Sequence, residues 1–342
     1  MAQEPQPSAA FEGPGRIDVH HHCFPGTLEE LQSEFEHNSY NLNYTPFPQG
    51  PEEHLEYMDK VGIQTAVITP SIKREWHEQL SPAAFADFCK RSLDAQLGYV
   101  KSNPLRFGCF AILPLPHVQE CIDFIRYAQS LDIRPDGFAA ATAMGKLYLG
   151  DARLEPVWEE LDKSGSMVFI HPSDTAMPPN LNFGPFVEEF PFDTCRAITS
   201  VINSGILERT PNVRFLFSHN GGAFPYLADR IGAQHLDNVI TKSNSGKTLR
   251  EVLASSNIFF DTSISSPMQY PLIKDLSFPV EHLLYATDYP YTMRFDNETY
   301  LAGFDAPKKS GLFSDAEMEK ILHGNSLKVF PRLAKLYARF WR

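Results

Sequence analysis

Eight short runs rich in β-branched and aromatic residues, separated by longer segments of helical patterning, constrain this sequence more than any other feature. They cover 16–20, 65–69, 107–113, 137–140, 167–171, 214–219, 257–261 and 282–286. Between them the spacing predicts helices over 82–100, 117–130, 154–163, 192–208 and 224–239. Strands that alternate with helices are the pattern of parallel βα units, because two parallel strands need a crossover between them. Eight such units predict an α/β fold of the (β/α)8 TIM barrel type, usually about 250 residues long. The 342 residues of this chain leave room for insertions. The stretches 27–51, rich in Asn, Pro and aromatic residues, and 173–191 read as loops inserted after the first and fifth strands, over the C-terminal face. From Ser314-Asp-Ala-Glu317, a capping box, the chain reads as two helices closing the outside of the barrel, interrupted at Pro331. With no internal repeat and no linker, the expected organisation is a flexible segment, 1–15, and one domain, 16–342.

Composition narrows the function classes. No run approaches the roughly 20 apolar residues that span a bilayer, and 1–15 lacks the apolar core of a signal peptide. A soluble, cytoplasmic protein without a membrane partner is expected. Cys23, Cys89, Cys109, Cys121 and Cys195 stand singly, and an odd count argues against a complete disulfide framework. The net charge of −12, with no concentrated basic run, disfavours binding to nucleic acid or anionic lipid. An anionic substrate would need a local cation or a metal to attract it.

The run Ile17-Asp18-Val19-His20-His21-His22 places imidazoles at the end of the first strand. Successive strand side chains point to opposite faces, so His20 and His22 project together and His21 points away. Two imidazoles on one face, with His171, His219 and Asp288 at later strand ends, are what a divalent metal site requires. A solvated histidine tract is the alternative, although such tracts sit in polar segments and this one lies between Ile17, Val19 and Cys23-Phe24-Pro25. Singly, His171 before Pro172 could merely end a strand, and Asp288 could sit in a turn. Barrel enzymes assemble their sites at the C-terminal ends of several strands, which is where all of these residues fall.

Four ordered motifs resemble the amidohydrolase superfamily, in particular the metal-dependent non-oxidative decarboxylases related to aminocarboxymuconate semialdehyde decarboxylase. Asp18-Val19-His20-His21-His22 is similar to their Asp-x-His-x-His opening and Val168-Phe-Ile-His171-Pro172 to their fifth-strand histidine motif. Ser218-His219-Asn-Gly-Gly-Ala-Phe-Pro225 is similar to their Ser-His-x-Gly-Gly segment, and Ala286-Thr-Asp288-Tyr-Pro290 to Thr-Asp-Tyr-Pro. In addition, His323-Gly-Asn-Ser326 resembles their closing Gly-Asn-Ala. Within the family, general appearance and length are nearest to the fungal 6-methylsalicylate decarboxylases.

The resemblance implies that His20, His22, His171 and Asp288 hold one divalent metal, Zn2+ first and Mn2+ as the alternative. It implies that Asp288 and His219 are catalytic: Asp288 is the leading candidate to deliver a proton to the ring of an aromatic acid bearing an ortho hydroxyl, with His219 orienting the substrate or exchanging protons with it. The alternative is attack by a metal-bound hydroxide with His219 as the base. The expected reaction is 6-methylsalicylate to 3-methylphenol and CO2. Gly221 and Gly222 let backbone and substrate approach closely or simply make a tight turn. Arg230 aligns with an arginine that contacts a carboxylate, sometimes across a dimer interface, or is simply a surface arginine on the helix after the sixth strand, and Tyr291 aligns with a ring-stacking position. Phe24, Tyr40, Tyr44 and Phe47 could add an aromatic wall or form a local cluster. A homodimer is implied. The semialdehyde decarboxylases carry arginines where this chain reads Gln49-Gly-Pro-Glu-Glu-His-Leu-Glu-Tyr57, so a dicarboxylate fits less well than a monoacid with an apolar substituent. A metal-dependent lactonase would use nearly the same residues, and a noncatalytic binder of metal or aromatic ligands would bind without turnover.

Overall fold

The computed structural model describes residues 8–9, 13–24, 50–72, 76–173, 186–233, 238–294 and 306–341. Eight strands run in sequence order around one sheet: β1 (Arg16–Cys23), β2 (Ile63–Pro70), β3 (Phe107–Ile112), β4 (Gly137–Ala141), β5 (Met167–His171), β6 (Arg214–Phe217), β7 (Ile258–Asp261) and β8 (Leu283–Leu284). Every neighbouring pair is parallel. The segment after β8 returns to β1, where the Val19 amide donates to Tyr285 O at 3.0 Å, that of Asp288 to His20 O at 2.8 Å and that of His22 to Tyr289 O at 2.7 Å. These bonds close the barrel.

Both faces of the sheet are covered, which is why the strands read as near-continuous apolar runs. Ile17, Val19, Val67, Phe110, Ala139, Phe169, Leu216, Phe259 and Leu284 fill the interior. Ile68, Ala111, Phe138, Val168, Phe215 and Phe260 point outward into a second layer under the helices. Gly137 lets β4 lie against β5, since a Cβ there would sit 2.6 Å from Met167 O.

The helices start where local chemistry dictates. α1 (Pro51–Val61) and α2 (Pro82–Ser102) each begin with proline, whose missing N–H costs nothing in a first turn, and Ser81 caps α2 by accepting from Ala84 N. α3 (Val118–Ser130) and α4 (Glu155–Asp162) follow β3 and β4. α5 (Glu189–Ser204) starts ahead of the expected 192 and ends at Gly205, whose φ of 73° breaks it from a further turn, Ile206–Arg209. α6 (Phe224–Gly232) stops short of the expected 239. A hairpin of Ala143–Met144 with Leu147–Tyr148 is too short to carry a sequence period. β8 is trimmed because Tyr285 N turns to Ile321 O at 3.0 Å and leaves the ladder.

The C-terminal region corrects one expectation. The Ser314–Glu317 capping box forms, but the last helix, α7 (Pro331–Tyr337), covers the floor of the barrel and not its outside. Val329, Phe330, Leu333 and Tyr337 join the interior cluster. Open strand N-termini would expose that apolar interior to water, and an apolar helix face removes it. Arg332 holds the plug in place, clasping Asp136 through two bonds of 2.9 Å and donating to Pro104 O and Phe107 O. Ahead of β1, Ser8 is buried, its amide donating to Gln64 Oε1 and its hydroxyl to Asp59 Oδ1. Most of the two expected insertions, with Tyr40, Tyr44 and Phe47, lies outside the described residues. Among the described residues no helix is long and apolar enough to cross a membrane.

Candidate active site

The site begins with a defect in β1. Ile17 and Val19 face the interior, so strict alternation would send His21 inward and turn His20 and His22 out. Between Asp18 and His21, however, β1 advances three residues while β2 advances two, from Ala66 to Ile68. This bulge reverses the alternation. His20 now lies inside, its ring centroid 4.7 Å from Phe169, while His21 meets His54 of α1 on the outer wall, Nε2 to Nδ1 at 2.9 Å. The reversal is held by buried Asp18, whose Oδ1 accepts from the amides of His20 and Thr287 and whose Oδ2 accepts from the Thr287 hydroxyl and bonds His21 Nδ1.

The other side chains arrive by simpler routes. His171 stands two residues past the interior Phe169, and Asp288 two past the interior Ala286. His219 and Asp288 sit at φ of 56° and 60°, left-handed backbone rare in non-glycine residues and concentrated at functional sites. Gly221 and Gly222 serve the turn itself: Cβ atoms there would press on the Phe260 ring at 2.9 Å and on Pro191 O at 2.3 Å.

The residues expected to bind metal come together. His20 Nε2 and His22 Nε2 are 3.0 Å apart, and each is 3.0 Å from Asp288 Oδ1. His171 stands edge-on to His20 and His22, with centroids 4.9 and 5.0 Å away. His219 Nε2 lies 3.4 Å from Asp288 Oδ2. One nitrogen each from His20, His171 and His219 and one oxygen of Asp288 lie within 4.8 Å of one another, so His219, expected only beside the metal, is also within ligating reach.

These groups do not satisfy one another. His20 Nδ1 lies 2.8 Å from Asp261 Oδ2 and 2.9 Å from the Ser263 hydroxyl. With its proton there, His20 directs an Nε2 lone pair at another imidazole nitrogen and a carboxylate. Asp288 Oδ1 is buried and has no directed hydrogen bond despite its two close nitrogens. Burial disfavours a charged His20, yet Asp288 and Asp261 outweigh it and raise the imidazole to about 10. Burial lowers His22, with Asp288 partly opposing, and burial with the neighbouring imidazoles holds His171 well below its ordinary value. Burial alone would raise Asp288, but the contacts with His20, His219 and His22 hold it well below the usual carboxylate range. The two carboxylates thus call for positive charge at His20. A divalent cation bound among these side chains would supply it while leaving every imidazole neutral, the form that ligates.

The sequence reading misses Asp261, although it ends a strand run as His171 does. Its Oδ1 accepts from the His219 amide and from the Ser263 amide and hydroxyl, so one carboxylate locates two site histidines. Ser263, and Ser71 whose Oγ lies 3.4 Å from His22 Nδ1, carry no sequence signal. Of the residues expected to contact substrate, Tyr291 stands edge-on to His22 at 5.1 Å, with Phe24 6.4 Å from Tyr291. Phe190 adds a third ring, 6.1 Å from His171. Arg230 does not join them: it is exposed on α6 and lines a separate groove with Tyr148, Arg196 and Leu227.

Residues 17–332 match the amidohydrolase family Amidohydro_2. The chain is similar to decarboxylase yanB of Aspergillus niger, 29% identical with 93% of this chain and 88% of the relative covered. It is similar to 6-methylsalicylic acid decarboxylase of Penicillium expansum, 28% identical with 93% and 97% covered. Among solved structures, it superposes on dihydroxybenzoic acid decarboxylase from a Polaromonas species, which holds manganese and the inhibitor 2-nitroresorcinol, with TM-score 0.70, 18% identity and coverage of 93% and 97%.

Proposed function

The chain belongs to the amidohydrolase family, and we propose that within it the protein is a metal-dependent, non-oxidative decarboxylase of an ortho-hydroxy aromatic acid, converting 6-methylsalicylate to 3-methylphenol and CO2. The observation that carries this reading is the meeting of His20, His22, His171, His219 and Asp288 at the C-terminal mouth, around a carboxylate oxygen with no directed partner. Its relatives in Aspergillus niger and Penicillium expansum, named as decarboxylases, support the reaction class.

His20, His22, His171 and Asp288 would hold the metal. When bound, the cation supplies Lewis-acid stabilisation of negative charge on substrate oxygens. Three imidazoles and a carboxylate suit Zn2+, with Mn2+, present in the Polaromonas relative, as the alternative. The 3.4 Å approach of His219 Nε2 to Asp288 Oδ2 lets the pair share a proton. That proton goes to the ring carbon bearing the carboxylate. The electrons of the carbon–carboxylate bond then return to the ring as CO2 departs, and solvent restores the proton to the pair. One carboxylate is exchanged for one hydrogen, with no oxidant or reductant. Tyr291, Phe24 and Phe190 form the aromatic side of the mouth and favour a flat substrate with an apolar substituent.

Arg230 serves a neighbouring site if the enzyme is a homodimer, and Tyr226 and Met268, 79% and 81% exposed, are candidates to be covered there. Five free, buried cysteines suit a reducing, cytoplasmic setting. The test offers metal-loaded protein 6-methylsalicylate, salicylate, 2,6-dihydroxybenzoate and a panel of lactones, following CO2 and products by mass, with chelated protein and His219→Ala as controls. Metal-dependent formation of 3-methylphenol is expected. Lactone opening without CO2 from any acid would move the protein to the hydrolases.

A further inference from the structure

The two histidines of the first strand are not held alike. His20 Nδ1 faces a buried carboxylate, Asp261, and a serine hydroxyl. His22 Nδ1 has Ser71 Oγ at 3.4 Å, and that hydroxyl lies 2.8 Å from Tyr291 Oη. Ser71 follows the end of β2, Tyr291 lies three residues after Asp288, and His22 is on β1. Three separate parts of the barrel rim therefore meet at one hydroxyl. We infer that Ser71 is a positioning residue that ties the orientation of His22 to the pose of the Tyr291 ring at the mouth.

The direction of the chain follows from what His22 must do. An imidazole that ligates through Nε2 carries its proton on Nδ1. Nδ1–H then donates to Ser71 Oγ, and the serine hydroxyl donates to the tyrosine oxygen. Serine suits the junction because it accepts and donates through one atom on a short side chain. Alanine breaks both links, whereas threonine keeps them. The Tyr291 ring, edge-on to His22 at 5.1 Å, is thereby set beside the metal centre at the place where an aromatic substrate would lie. Ser71 thus acts on cation binding through His22 and on substrate binding through Tyr291. The substrate arm rests on the decarboxylase reading above; the cation arm rests only on the metal centre.

Both arms are measurable. The full chain is prepared as wild type, Ser71→Ala, Ser71→Thr, Tyr291→Phe and the Ser71→Ala/Tyr291→Phe double variant. Zn2+ and Mn2+ affinities are read by chelator competition, and kcat and KM for 6-methylsalicylate on the metal-saturated enzymes. Ser71→Ala is expected to weaken cation binding by about tenfold, at the low end for loss of a ligand's outer partner, and to raise KM more than it lowers kcat. Ser71→Thr restores both. Tyr291→Phe leaves cation affinity near wild type, raises KM, and adds no further KM change in the double variant. Wild-type cation affinity and KM in Ser71→Ala, a Ser71→Thr as impaired as Ser71→Ala, or fully multiplicative KM effects would each overturn the inference. Absence of wild-type turnover removes 6-methylsalicylate as the substrate, and the affinities of the serine variants then decide the role of Ser71.

Discussion

Asp261→Asn exchanges one carboxylate oxygen for an amide of the same shape, beside the atom that decides which nitrogen of His20 carries a proton. Asp261 Oδ1 accepts from the amides of His219 and Ser263 and from the Ser263 hydroxyl, so the asparagine carbonyl must stay there. The new NH2 then takes the place of Oδ2, 2.8 Å from His20 Nδ1. Two donors cannot share that contact. His20 either moves its proton to Nε2, which removes the lone pair a cation needs, or gives Nδ1–H wholly to the Ser263 hydroxyl oxygen, 2.9 Å away. Because Ser263 remains, the loss falls at the low end for such partners, about tenfold in Zn2+ affinity or about 1.4 kcal/mol. Removing Ser263 as well, in Asp261→Asn/Ser263→Ala, takes the loss toward about 100-fold, or about 2.7 kcal/mol. The assay is chelator competition on folded protein, with circular dichroism confirming an intact barrel. Affinities of both variants within about twofold of wild type, in folded protein, would refute the argument that Asp261 sets the His20 proton.

Chelation is expected to abolish turnover and Zn2+ or Mn2+ to restore it, measured as CO2 release. His219→Ala should retain the cation and lose about 10²–10⁴-fold in kcat, the usual contribution of a positioned proton donor; unchanged kcat would remove His219 from the chemistry. Arg332→Ala leaves the carboxylate of Asp136, 2% exposed, without its partner in the floor of the barrel. Urea unfolding should show a loss of about 3 kcal/mol, while the folded fraction keeps its kcat. Burial raises the thiols of Cys23, Cys89, Cys109 and Cys121 above their ordinary range. Since the thiolate is the reactive form, these residues should resist maleimide at about pH 8 in native protein and react on unfolding, as read by mass.

Much of the architecture is legible in the sequence because its causes are local. Apolar runs mark strands, prolines and capping residues mark helix starts, and residues at strand ends fall at one mouth once the barrel is granted. The pairing of His20 with His22 likewise follows from a two-residue period. The period does not say which face turns inward. Ile17 and Val19 point into the barrel, and His20 and His22 follow them only because β1 gains a residue against β2 between Asp18 and His21. A bulge belongs to a pair of strands and has no signature in either one alone. Hydrogen-bond partners are equally non-local: Asp261 reaches His20 from 241 residues away, and Tyr291 reaches Ser71 across 220. The final helix carries an apolar face in its sequence, but only the open floor of the barrel decided where that face would be buried. Residue types thus determined which chemistry was available, while strand pairing and barrel closure decided which atoms meet.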